Sequence, residues 1–387
     1  MRRLPLPIGL AWQQLRHEPR KLLAGASGVV FAVVLMFMQF GFRDALFDSA
    51  TAVQRRMSGD LFIVHRQSQT LWRMALFTRR RVFQALAVPE VARAGYLYVT
   101  LVDWKNPWTG RHRATLMFGI DPAVGLLDLP GVAEQLDVLK GADTVLFDEH
   151  SHREFGPVGD VLRAGQPFSA EVNNRRLAVR GLFRLGASFA ADGNLVTSHE
   201  NFLRVVRSRM PSQIDVGILL LKPNVDQAAV QIAVQRLMPN DVQVITRDEF
   251  VRLEYDFWQN STGIGFVFTL GALMGFVVGI VIVYQILYTE IANHLSQYAT
   301  LTAMGHSHRF LLGIVGGAAL ILCVLGYVPG LLMSAALYRL TEGATFLPMT
   351  LGVAKPALVL GLTLTMCFVS GGFALRKLRD ADPADLF

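Results

Sequence analysis

The stretch GIGFVFTLGALMGFVVGIVIVYQILY, from Gly263 to Tyr288, constrains this chain more than any other, because it carries no charge and is apolar or small almost throughout. In water it would expose a large apolar cylinder, whereas about 20 such residues match the hydrocarbon core of a bilayer. It predicts a membrane-spanning helix. The chain runs on through TEIANHLSQYATLTAMG to Gly305, where Ile291, Leu295, Tyr298 and Thr302 recur at helical spacing opposite Glu290, Asn293, His294 and Gln297. That pattern predicts an amphipathic helix at the membrane surface, with one face turned to a partner.

Composition agrees with a chain that spends part of its length in lipid: 52% of the 387 residues are hydrophobic and the mean hydropathy is +0.37. The formal net charge of +7 is not a nucleic-acid signature, because many basic residues lie beside apolar runs, where they orient a membrane protein. No nucleic-acid partner is expected.

Residues 1–21 carry Arg2, Arg3, Arg16, Arg20 and Lys21 against the single acid Glu18, and an apolar run, 22–42, follows. The run is too long for a signal peptide and lacks a small-residue cleavage site before Arg43, so it reads as an uncleaved anchor with a cytoplasmic N-terminus. Residues 43–260 hold no run long enough to span. They hold short β-rich runs, such as Asp60 to His65, Tyr96 to Trp104 and Val216 to Leu221, and helical patterns. The clearest helix is Asn224 to Met238, with Val225, Ala229, Ile232, Ala233 and Leu237 on one side, lying between two strands as in a βαβ unit. A further helix from Arg247, with Phe250, Leu253 and Phe257 three and four apart, points at Gly263. Either it continues into the membrane as a stiff rod, or Asn260 to Gly263 break it into a hinge.

The second span is placed at 261–288, a cytoplasmic helix at 289–309, the third span at 310–338, a short outer loop at 339–352, the fourth span at 353–375 and a cytoplasmic tail at 376–387. The even count of spans and the border residues Arg376, Lys377 and Arg379 put both termini in the cytoplasm. The predicted fold is an α-helical membrane protein with four transmembrane helices plus a mixed α/β extracytoplasmic domain inserted between helices 1 and 2.

Chemistry-bearing motifs are sparse. There is no GxxxxGK[ST] loop to cradle a nucleotide. His150 and His152 beside Asp148 and Glu149 lack a third ligand fixed by spacing, so loop residues are expected there and no metal. Arg79, Arg80 and Arg81 read as a solvated helix face rather than a contact for lipid headgroups, and Gly186 to Asn194 as a loop. Cys323 and Cys367 fall inside spans and leave the inserted domain without disulfides. The spans hold almost no charge, which argues against an ion or proton path. Gly271, Gly275 and Gly279, and again Gly313 and Gly317, permit close helix approach, either within one chain or at a dimer seam.

One helix, a large extracytoplasmic domain, three helices and a cytoplasmic amphipathic helix ending in Ala303-Met304-Gly305 resemble the FtsX/MacB-type permeases of ABC systems, the type VII or mechanotransmission family. The strings FMQFGFRDALFDS from Phe37 to Ser49, GDLF from Gly59, WKNP from Trp104, LGASFAADGN from Leu185 and the tail ADPADLF resemble its DevC branch more specifically. The resemblance implies a homodimer in the bacterial inner membrane that carries no catalytic, cofactor or metal site. ATP and Mg would sit on a DevA-like ABC ATPase, with a DevB-like membrane-fusion adaptor and a TolC-like outer-membrane protein completing an exporter of a lipid, glycolipid or other hydrophobic cargo. It also implies that Thr289 to Gly305 is the helix that docks in the ATPase, with Ile291, Leu295, Tyr298, Leu301, Met304 and Gly305 as its contact residues. FtsX-like control of a cell-wall hydrolase and LolC/LolE-like lipoprotein release are the alternatives.

Overall fold

The computed structural model describes residues 9, 13, 19–188, 190–294, 297, 304, 308–345, 347 and 349–379. In chain order the elements are α1 (Pro19–Arg55), β1 (Leu61–His65), β2 (Phe77–Thr78), α2 (Arg80–Gln84), β3 (Val91–Lys105), β4 (His112–Ile120), β5 (Thr144–Asp148), α3 (Val158–Arg163), β6 (Phe168–Val172), β7 (Arg175–Phe183), β8 (Gly193–Ser198), α4 (His199–Val205), β9 (Gln213–Ile214), β10 (Val216–Leu221), α5 (Gln227–Leu237), β11 (Val242–Thr246), α6 (Arg247–Asp256), a π turn (Phe257–Ser261), α7 (Ile264–Asn293), α8 (His308–Thr345) and α9 (Ala354–Arg379). They form two compact units, one of residues 1–44, 264–341 and 349–387, the other of residues 45–263 and 342–348.

The second unit is a mixed α/β domain inserted between the first and second apolar helices. Its nine-stranded sheet runs β11-β1-β10-β3-β4-β8-β5-β7-β6, and β6 pairs back onto β3 through Trp104↔Val172, so the last six strands close into a ring. Both faces are buried, which is why the strands read as nearly continuous apolar runs. Leu61 and Ile63 enter one core while Phe62 and Val64 enter the other. Asn173 and Asn174, at φ 47° and 60°, make the two-residue turn between β6 and β7, a conformation that asparagine tolerates better than most residues. β10, α5 and β11 form the expected βαβ unit, with β1 inserted antiparallel between the two strands. The buried face of α5 is Val230 and Val234. Ile232 and Leu237 are exposed, which corrects the face inferred from periodicity. β11 is an edge, and its Val244 N–H and C=O are taken by the side chains of Gln235 and Gln231, so the strand offers no open ladder there.

The first unit is a helix bundle. Among the described residues, four helices are long and apolar enough to cross a membrane: Leu22–Arg55, Ile264–Asn293, Leu312–Ala344 and Ala354–Leu375. Their exposed residues, among them Phe31, Phe266, Leu273, Leu332 and Phe373, are those a lipid solvent accepts. The helices differ in extent from the spans placed at 22–42, 261–288, 310–338 and 353–375. At 37 residues α1 is about 56 Å long, well beyond the hydrocarbon thickness, and it continues past the first polar residues to Arg55.

Small residues set the bundle's contacts. Gly271 faces Gln39, Gly275 faces Leu35, and Gly279 faces Met366 and Ala32, so packing within one chain is the arrangement adopted by this ridge. On α8, a Cβ at Gly326 would collide with Val29, and one at Gly330 would lie 2.7 Å from Val33 Cγ1. Gly326→Leu is therefore expected to cost about 1–3 kcal/mol by forcing the helices apart. The drop in thermal midpoint of the detergent-solubilised chain measures it, and Gly361→Leu, where a side chain meets open space, should leave the midpoint unchanged.

Candidate functional site

At the end of α7 the structure departs from the amphipathic pattern. Glu290 is buried, lying 3.3 Å from His294 Nε2 through its Oε1, and Ile291 is only 2% exposed. Ile291 thus packs inside its own bundle rather than facing outward, and Glu290 does not sit on a solvated face. Met304, by contrast, is 65% exposed. Leu295, Tyr298, Leu301 and Gly305 lie outside the described residues.

The inserted domain is rooted by two chain segments that topology forces together. The start of β1 opposes the end of β11 at Leu61↔Thr246, so α1, which precedes β1, and α6, which follows β11, emerge side by side. Thr246 and Glu249 form a capping box that starts α6. Arg247 donates to the carbonyls of Met57 and Gly59, and Phe47 stacks on Tyr255 at 4.2 Å between centroids.

Glu254, one turn further along α6, is the centre of this root. Its Oε1 accepts from Thr70 Oγ1 at 2.5 Å and Trp258 Nε1 at 2.9 Å. Its Oε2 accepts from Leu71 N at 2.7 Å and Gln54 Nε2 at 2.9 Å. Burial raises the carboxyl above its ordinary pKa, while the four donated hydrogen bonds favour the ionised form. Glu254 stands four residues after Phe250, an acid on the apolar stripe of the helix, and that misplaced charge is the one mark it leaves in the sequence. The helix then widens into the π turn and stops at Thr262, and Gly263 adopts φ +68°. The rod continuous from Arg247 into the second span is therefore not what forms; the backbone reverses hand at a glycine, which alone takes that conformation without cost.

The other sequence candidates resolve as architecture. Asp148, fully buried, accepts from His150 N, Leu185 N, Gly186 N and Asn194 Nδ2, so the Gly186 to Asn194 stretch is a cradle drawn around one carboxylate, with Ala187 and Ala191 buried. Glu149 is held by Arg163 and Arg184, which keep its carboxyl below the ordinary range. Among the described residues no three His, Cys, Asp or Glu side chains gather as a metal site requires. Arg79 and Arg80 are exposed, and Arg81 lies 3.6 Å from Asp241. Cys323 and Cys367 are free thiols buried on α8 and α9.

A cleft of about 450 Å³ opens beside α4, lined by Arg79, Tyr96, Lys140, His199 and Glu200 among others. His199 stacks on Tyr96 at 4.2 Å and its Nε2 lies 3.0 Å from the Tyr96 carbonyl, to which it donates. Burial pushes its pKa down to about 4. The fold thus favours neutral imidazole, and its contribution is complete above pH 6.5 and lost as the pH falls towards 4. Buried Asp215, raised to about 6 despite its ion pair with Arg209, acts with the opposite sign, losing its contribution as the pH rises through 6. The difference between wild type and His199→Gln, which keeps Asp215, isolates the histidine: the variant's thermal midpoint should fall less steeply from pH 6.5 to 4.

Comparison with known proteins adds a domain assignment. Residues 269–383 match the family of the FtsX-like permease C-terminal domain. That segment is similar to an FtsX-like permease C-terminal domain. It spans α7 from its first turns through α8 and α9. No curated protein matches the chain in sequence. Solved structures similar to it include the periplasmic region of MacB from Actinobacillus actinomycetemcomitans, with 12% identity over 54% of this chain and 97% of that one at a TM-score of 0.35. The extracellular domain of the noncanonic ABC-type transporter YknZ from Gram-positive bacteria is similar over 49% of this chain and 99% of its own, with 12% identity and a TM-score of 0.34.

Proposed function

We propose that the chain is the membrane subunit of an ABC-type exporter of the bacterial inner membrane, its termini cytoplasmic and its inserted domain periplasmic. A separate ATPase, DevA-like by resemblance, binds ATP and Mg; a DevB-like adaptor and a TolC-like duct carry a lipid, glycolipid or other hydrophobic cargo outward; two copies of the chain work together. The observation that carries this reading is the FtsX-like permease match over residues 269–383, joined to the DevC-like strings outside that segment.

The chain's own part is mechanical. ATP binding would draw two ATPase subunits together, move the segment after Tyr288, and pass the displacement through α7 to the inserted domain, which gates cargo without a polar path through the spans. Met304 and, by resemblance, Tyr298 and Leu301 provide apolar contacts for a groove in the ATPase. Ile291, being buried, serves the span rather than the contact.

Co-purification of the detergent-solubilised chain with the ATPase and adaptor encoded beside it tests the reading. Capture of both is expected. Capture of the ATPase with a cell-wall hydrolase regulator in place of the adaptor would move the protein to signalling, and capture of neither would overturn the assignment.

A further inference from the structure

Glu254 is 2% exposed, and each of its oxygens is filled by two donors, the four coming from three different parts of the domain: Gln54 near the end of α1, Thr70 and Leu71 in the loop after β1, and Trp258 in the π turn. An ionised carboxylate offers about four lone-pair directions, so the site is saturated by this set. No other side-chain type of this size does the same. A glutamine would offer one oxygen and turn an NH2 group towards two of the donors, leaving buried N–H and O–H groups unpaired. The four donors lie on the two segments that lead from the domain to the first and second apolar helices and on the loop wedged beside them. The backbone beyond Trp258 is also the part that departs from α-helix, with the π turn ending in the left-handed Gly263.

We propose that Glu254 is a positioning residue that locks the domain-side end of α1 to the segment entering α7, so that a displacement arriving along either segment is passed to both. The inference rests on the exporter reading for its purpose, but not for its geometry. It assigns the joint to one residue and predicts that the joint loosens when the carboxylate alone is changed.

Spin labels at Arg56→Cys and Arg252→Cys, both exposed positions, report the separation of the two segments in the full chain in nanodiscs, with Cys323 and Cys367 replaced by alanine. With Glu254 present a single narrow distance is expected. Glu254→Gln should broaden it or add a longer population, and hydrogen exchange at the Leu71 amide should rise at least tenfold. Val234→Ala, a core change on α5 that spares the network, should lower the thermal midpoint and leave the distance narrow; this separates a joint from general loosening. If Glu254→Gln fails to fold, Thr70→Val removes one donor and should shift both readouts the same way by less. An unchanged distance and an unchanged Leu71 exchange rate in whichever variant folds would overturn the proposal. Neither ATPase nor cargo enters the measurement, so its failure would leave the exporter reading standing, and loss of ATPase capture would leave the joint standing.

Discussion

Asp148→Ala is expected to destabilise the inserted domain by about 3–5 kcal/mol, and to lower its thermal midpoint by on the order of 10 °C. The carboxylate is fully buried and satisfies three backbone amides and the Asn194 side-chain amide. Each donor left unpaired in the interior costs about 1–3 kcal/mol, and the relief of burying one charge fewer offsets part of the sum. Nothing in the collapsed variant can replace the acceptor, because the Leu185 and Gly186 amides point inward from a loop whose Ala187 and Ala191 are themselves buried. Asp137→Ala, at an exposed ion pair with Lys140, should leave the midpoint where it was.

Trp104→Ala should have a comparable effect, about 3–5 kcal/mol, by emptying the centre of the strand ring. The indole is fully buried against Phe147 and Phe155 at 5.2 and 5.8 Å, and Trp104 is also the residue through which β3 meets β6. Its loss is expected to raise hydrogen exchange at Val172 and Lys105, where the ring closes. Trp104→Phe should cost much less than alanine. The buried indole N–H has no hydrogen-bond partner among the described residues, so phenylalanine discards an unpaired donor along with the volume it loses. Thermal unfolding of the three proteins side by side gives the order wild type, phenylalanine, alanine.

The sequence carried the architecture because lipid and sheet leave strong local signatures. The uncharged run at α7 and the fourfold count of apolar helices follow from a solvent that rejects charge, and the β-rich runs between 60 and 246 follow from a sheet buried on both faces. Its errors have equally physical origins. Hydropathy ends the first span near Phe42, yet α1 runs to Arg55, because Ala45, Leu46, Phe47 and Val53 bury one side of the helix in the domain while Asp48 and Arg55 occupy the other. Periodicity on α5 offered two apolar stripes and favoured Ile232 and Leu237 over Val230 and Val234; only the sheet beneath decides between them. Closure of the ring through Trp104↔Val172 joins residues far apart in the chain and leaves no local trace.

The candidate sites were legible to differing degrees. Gly186 to Asn194 was visible as a stretch, but its purpose depends on Asp148, nearly forty residues earlier by the hydrogen bonds to Leu185 and Gly186. Glu254 was visible as an acid on an apolar stripe, whereas Gln54 and Thr70 carry no mark that pairs them with it. Glu290 and Ile291 fit an amphipathic pattern in sequence, and both are buried because α7 extends past the apolar run while still packed within its bundle.

The central claim is that the segment following α7 is where an ATPase takes hold. The most direct test is ATPase capture by the full chain carrying Tyr298→Asp, Leu301→Asp and Met304→Asp together, with membrane insertion and thermal unfolding of the inserted domain followed in parallel. The account predicts that the triple variant inserts and unfolds as the wild type does, retains the adaptor and loses the ATPase. Undiminished capture of the ATPase by a correctly inserted triple variant would contradict it.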